Sequence, residues 1–157
     1  MRILVFSDSH GDMESIEKAM NRFYPDIAIH LGDGIEDLLN LSKNFPLSTF
    51  FYVRGDVDNF GDSHKKELFD NVSVYMTHHE YQFTIEQNPE KIIEVLKLDS
   101  QIVLFGNTHT PTLFVSNGIT FMNPGSISKV NGFRTFGMID VIDNEYLCKL
   151  MFADLIN

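Results

Sequence analysis

The chain has 157 residues, 43% of them hydrophobic, which suits one domain with a sizeable core and excludes intrinsic disorder. Its formal net charge is −10 and no basic run exceeds Lys65-Lys66, which excludes an extended nucleic-acid surface and a dock for a polyanionic membrane. One cysteine, Cys148, excludes an intramolecular disulfide and favours a reducing compartment.

Residues 2–6 begin with Arg2 and four apolar residues, which predicts a short strand. That run is too short for a signal-peptide core, and no stretch approaches the ~20 apolar residues of a spanning helix. A cytoplasmic protein with a single domain over residues 1–157 is expected. Met13, Ile16, Ala19, Met20 and Phe23 recur at helical spacing behind Asp12, a suitable N-cap. Ile27-Ala28-Ile29 predicts a second strand, residues 35–44 a second helix, and residues 49–53 a third strand. Strands alternating with helices over short connections imply parallel strands with helices packed on them.

The second half reads differently. Residues 66–69 and 72–77 predict a hairpin around Asp70-Asn71, and one helix follows with Pro89 in its first turn. After the apolar run that ends at "GNTH", Asn117-Gly118, Asn131-Gly132 and Asp143-Asn144 are hairpin-type turn signals between further strands. The expected fold is α/β, with two mixed β-sheets packed face to face and flanked by helices.

Candidate ligands recur where strands end. Asp8 and His10 follow the first strand, Asp33 the second, and Asp56 and Asp58 the third; His78 and His79 end a later one, and Asn107 and His109 follow the strand before "GNTH". Singly, each has an ordinary reading as a cap, turn or hydrogen-bonded residue. Together they would converge on one edge of a mostly parallel sheet, where unneutralised carboxylates repel one another and raise each other's pKa. A divalent ion removes that cost, and mixed oxygen and nitrogen donors suit Mn, Fe, Zn or Ni rather than an all-oxygen calcium cage.

The ordered motifs "DSH" (8–10), "GD" (32–33), "RGDVD" (54–58), "THHE" (77–80), "GNTH" (106–109) and "NPGS" (123–126) carry a resemblance. The chain resembles the calcineurin-like metallophosphoesterases, specifically their small bacterial and archaeal phosphodiesterase branch. The resemblance implies a β-sandwich flanked by helices and a two-metal site. By position, Asp8, His10 and His109 match the ligands of the first ion, Asp33 the bridge, and Asp56, His78 and Asn107 the ligands of the second. "NPGS" matches a loop that supports the site from behind. Arg54 and the backbone around Asn59 are placed near the substrate.

Several positions depart from the family pattern. Asp56 stands for the usual Asn, Asn107 for a His, and Glu80 for the second His of a His-Gly-His arrangement in which His79 replaces the Gly. Val57 stands where an acid-donating His is often found. The second position therefore counts one imidazole and is expected to be the weaker, with an added carboxylate that leans toward Mn or Mg. Two divalent ions are expected, Mn first, with Mg, Fe, Ni or Zn as alternatives. The implied activity is hydrolysis of a small phosphate ester, most readily a diester, by a hydroxide bridging the two ions. His79 is a candidate proton donor. The alternative is a metal-binding scaffold similar to the retromer subunit, which resembles this family and has an Asp in the third motif. Diester against monoester preference, the physiological substrate and self-association into a homo-oligomer stay open.

Overall fold

The computed structural model describes residues 1–79, 82–97, 99–129 and 132–156. Strand β1 (Arg2–Phe6) leads into helix α1 (Met13–Phe23), then β2 (Ile27–His30), α2 (Ile35–Leu41) with a 3₁₀ turn over Ser42–Asn44, and β3 (Thr49–Tyr52). These strands are parallel and adjacent, with Ile3 opposite Ile27 and Ile27 opposite Thr49. Two later strands, β9 (Thr135–Ile142) and β10 (Glu145–Phe152), complete this sheet antiparallel beside β1, in the order β10-β9-β1-β2-β3.

The second sheet has the order β4-β5-β6-β8-β7. It comprises β4 (His64–Phe69), β5 (Val72–Thr77), β6 (Ile102–Leu104), β7 (Thr112–Ser116) and β8 (Ile119–Asn123). Here β5, β6 and β8 run parallel, and β4 and β7 close the two edges antiparallel.

The period-two alternation of β1 explains the layering. Ile3 and Val5 point between the sheets with Ile29, Val74, Met76, Leu104 and Met122. Leu4 and Phe6 point the other way, under Ile16, Met20 and Leu38 of the first two helices. On the far side, Ile85 of α3 (Gln82–Gln87) and Ile92 of α4 (Pro89–Leu96) cover Val103, Phe105 and Phe121. The local signals hold as well. Asp12 accepts the Ser15 N–H at 3.1 Å, and Asn88 accepts the Lys91 N–H at 3.2 Å with Pro89 in the first turn.

Three expectations change. Helix α3 is additional, because six residues are too few for a helical period to stand out in the sequence. The turn read at Asn131-Gly132 does not join hairpin partners: Asn131 lies outside the described residues, and β8 and β9 belong to different sheets. The candidate ligands follow parallel strands of both sheets rather than one. Asp70-Asn71, Asn117-Gly118 and Asp143-Asn144 do join hairpin partners, each with two positive φ values. Among the described residues no helix is long and apolar enough to cross a membrane.

Candidate metal centre

Asp8 and His10 follow β1, Asp33 follows β2, Asp56 follows β3, His78 and His79 follow β5, and Asn107 and His109 follow β6. The backbone ties these loops together. Asp8 N–H donates to the Gly32 carbonyl at 2.9 Å, His10 N–H to the Asp33 carbonyl at 3.2 Å, and Gly106 N–H to the His78 carbonyl at 2.8 Å. Asp8, His10, Asp33, Asn107 and His109 all sit at left-handed φ, between 44° and 67°. Each costs on the order of 1 kcal/mol, and their concentration at one edge marks a place where chain direction is set by something other than local preference.

Asp8, His10 and His109 each bring a ligand atom within 4.8 Å of the others. His109 Nε2 lies 3.1 Å from Asp8 Oδ1. Asp8, Asp33 and His78 form a second group and Asp56, His78 and His79 a third, by the same separation. His78 Nε2 is 3.5 Å from Asp33 Oδ2 and 3.9 Å from Asp8 Oδ1. Asp8, His10, Asp33, Asp56, His78 and His109 thus share these groups, with Asp33 beside His78. Asn107 contributes its N–H to Asp8 Oδ2 at 3.2 Å. Glu80 lies outside the described residues. His79 does not turn away from the cluster: its Nδ1 is 3.4 Å from Asp56 Oδ1.

The supporting contacts fix which atoms face inward. Ser7 Oγ donates to Asp8 Oδ2 at 2.5 Å, which leaves Oδ1 pointing into the cluster. His78 Nδ1 lies 2.7 Å from the Leu31 carbonyl, so that nitrogen carries the proton and Nε2 presents its lone pair. Asp8 Oδ1 and His78 Nε2 are both fully buried and make no hydrogen bond. Two acceptors aimed at one place are what a cation satisfies, and a buried acceptor without a partner is otherwise costly. The residues present therefore fit a divalent ion. Burial pushes the Asp8 carboxyl above its ordinary range, against the opposing pull of Ser7, His78 and His109; bound positive charge would reverse that.

Sequence reasoning noted Asp58 but gave it no role. It accepts the N–H groups of Asp33, Gly34, Ile35 and Gly55, at 2.7 to 3.2 Å, and so clamps the loop that carries Asp33. Burial alone would raise its pKa, but those donors outweigh it and hold the carboxyl below the ordinary value. Gly55 is required at this clamp, since a Cβ there would fall 2.3 Å from Asp33 N and from Asp33 Oδ1. From behind, Asn123 Nδ2 donates to the Gly106 carbonyl and to Thr108 Oγ1, and Ser126 Oγ donates to the Asp8 carbonyl at 2.7 Å. A cleft of about 240 Å³ adjoins His10 and Asp33, walled by Val57, Asn59 and Phe60. Arg54 is exposed and does not line it.

A sandwich of two mixed sheets, with carboxylates and imidazoles gathered after their parallel strands, is a metallophosphoesterase-type fold. A family model, the calcineurin-like phosphoesterase superfamily domain, matches residues 1–144, and the chain belongs to that family. It is 27% identical over 133 residues to a probable metallophosphoesterase of Mycoplasma genitalium, covering 81% of this chain and 77% of the relative. Among solved structures, an archaeal phosphodiesterase superposes with a TM-score of 0.74 at 21% identity, over 96% of this chain and 100% of the other. Wild-type Vps29 of Entamoeba histolytica, solved in complex with Zn²⁺, gives 0.72 at 18% identity, over 98% and 99%.

Proposed function

We propose that the protein is a metal-dependent phosphodiesterase acting on a small phosphate diester, with Asp8, His10, Asp33 and His109 holding one divalent ion and Asp33, Asp56, His78 and Asn107 a second. The carrying observation is the pair of buried acceptors, Asp8 Oδ1 and His78 Nε2, that face each other without hydrogen bonds. When bound, the ions supply Lewis acidity toward the phosphoryl oxygens and a nucleophile from water at neutral pH. The protein's own residues hold that set still. Ser7 and the Asn107 N–H fix Asp8, the Leu31 carbonyl fixes the His78 tautomer, and the Asp58 clamp fixes Asp33.

The cleft beside His10 and Asp33 would take one alcohol arm of the diester against Val57 and Phe60. Val57 offers no proton to the departing oxygen, so diesters with good leaving groups are favoured over alkyl esters. The test is a panel of aryl diesters and monoesters offered to chelator-stripped protein with Mn²⁺ added back. Hydrolysis of the diester above the monoester supports the reading, and the reverse order would make the protein a phosphomonoesterase. A similar fold alone does not choose between hydrolysis and a scaffold held together by protein contacts. The buried acceptors support a bound ion under either reading, and turnover of the diester separates the two.

A further inference from the structure

His79 is left without a role by the ligand set above, and its surroundings give it one. Its Nδ1 is 3.4 Å from Asp56 Oδ1, and the ligand atoms of Asp56, His78 and His79 lie within 4.8 Å of one another. The two imidazoles meet edge to face, with ring centroids 5.8 Å apart and an interplanar angle of 79°. The cluster continues into the first position, because His78 Nε2 is also 3.5 Å from Asp33 Oδ2. An independent feature points to a ligand here: His78 Nε2 is fully buried, carries a lone pair, and has no hydrogen-bond partner.

We propose that His79 is a ligand of the second metal position and supplies, from the residue after His78, the imidazole that Asn107 does not. The proposal rests on the reading of the site as a two-metal centre. With it, the second position counts two carboxylates, Asp33 and Asp56, and two imidazoles, His78 and His79. Such a set suits Mn, Fe or Zn over Mg, whose preference is for oxygen. It reverses the expectation of a weak second position, which counted a single imidazole. It also removes His79 as an imidazolium donor, since a nitrogen bound to a cation cannot take up the second proton that form requires.

The ordinary alternative is a surface ion pair. Both side chains are half-exposed, at 55% for His79 and 56% for Asp56, and such pairs contribute little to stability. An ion pair would act on the metal only through Asp56, so His79→Ala in an Asp56→Ala background would cost nothing further, whereas loss of a ligand would weaken the second ion again, which separates the two readings. Chelator-stripped full chain is titrated with Mn²⁺, and bound metal is followed by elemental analysis and by the Mn²⁺ electron paramagnetic resonance signal. Wild type should bind two ions per chain and show the spectrum of a spin-coupled pair. His79→Ala and His79→Gln, matched to wild type by circular dichroism, should keep the first ion and bind the second at least ~10-fold more weakly, without the coupled signal.

Unchanged affinity for both ions in the two variants would overturn the role of His79 while leaving the two-metal reading intact. So would one ion in wild type and variants alike as far as His79 is concerned, and that result would also reduce the centre to one metal. No bound ion in wild type would overturn the ligand assignment together with the function it rests on.

Discussion

His30 shows how a single buried side chain can carry a pH response. It is fully buried on β2, with Gly32 N–H donating to its Nδ1 at 3.1 Å and its Nε2 at 3.0 Å from Ser9 Oγ. Ser9 Oγ donates onward to Asp37 Oδ2 at 2.5 Å, and Gly11 N–H donates to the same oxygen. Only a neutral imidazole satisfies that arrangement, since a second proton on Nδ1 would face the Gly32 N–H. Burial accordingly lowers its pKa from 6.5 to about 4, against the nearby carboxylates.

Between those values the unfolded chain binds more protons at this residue than the folded one. Stability is therefore unaffected by His30 above pH 6.5 and is lost progressively as pH falls toward about 4. The loss amounts to roughly 3 kcal/mol over the window. For metal-free protein, the urea midpoint of wild type should fall between pH 7 and pH 4 more steeply than that of His30→Gln. Parallel slopes would show that His30 titrates alike in both states. The sequence did not disclose this residue's role, because a His ending a strand reads as a ligand or a hydrogen-bonded residue alike. His79 was similarly opaque. Strand alternation would have sent adjacent histidines to opposite faces, but β5 stops at Thr77, so alternation no longer governs either one.

Asp12 anchors an entire element. It caps α1 through the Ser15 N–H at 3.1 Å and Ser15 Oγ at 2.9 Å, and accepts from Arg134 Nε at 3.0 Å. Arg134 also holds Asp154 near the C-terminal end, at 2.8 Å. Asp12→Ala should destabilise the protein by about 1–2 kcal/mol in chemical unfolding, while Asp12→Asn keeps a capping oxygen and should cost less. Equal losses would assign the effect to the partly exposed ion pair rather than the cap. At the end of β6, a Cβ on Gly106 would fall 2.3 Å from Ser7 Oγ, the hydroxyl that holds Asp8. Gly106→Ala should weaken retained metal at least ~10-fold, read by elemental analysis after dialysis; unchanged metal content would show that Ser7 can move without releasing Asp8.

Elements whose period is local were legible in the sequence. The β1 strand with its four consecutive apolar residues, the amphipathic α1 and the three hairpin turns with left-handed central residues appear where pattern and turn chemistry place them. The crossing from β8 to β9 was not legible. Whether a Gly-containing loop joins sheet neighbours or changes sheets depends on packing partners far away in the chain.

At the scale of the whole molecule, each sheet contributes one set of parallel strand ends, and the centre exists only where the two sets meet. Asp8, Asp33 and Asp56 follow strands of the first sheet, while His78, His79, Asn107 and His109 follow strands of the second. The candidate ligands were legible because every one follows a strand that the sequence pattern predicts, but their pairing across two sheets was not. Ion binding should also hold the sheets together. Mn²⁺ at 100 times its dissociation constant adds roughly 2.7 kcal/mol per site by mass action. The unfolding temperature should therefore rise with Mn²⁺ in wild type and rise less in His109→Ala; an equal rise would place the bound ion elsewhere.

The proposed hydrolysis depends on the carboxylate that Asp33 would share between the two metal positions. Its most direct test is the turnover of an aryl phosphodiester by purified, Mn²⁺-loaded protein, compared with Asp33→Asn at the same metal concentration. Wild-type turnover should vanish with chelator, return with Mn²⁺, and exceed that of Asp33→Asn by at least ~100-fold, since loss of a direct ligand should outweigh loss of an outer contact. Wild-type turnover no higher than that of Asp33→Asn would contradict hydrolysis and leave a metal-binding scaffold in its place.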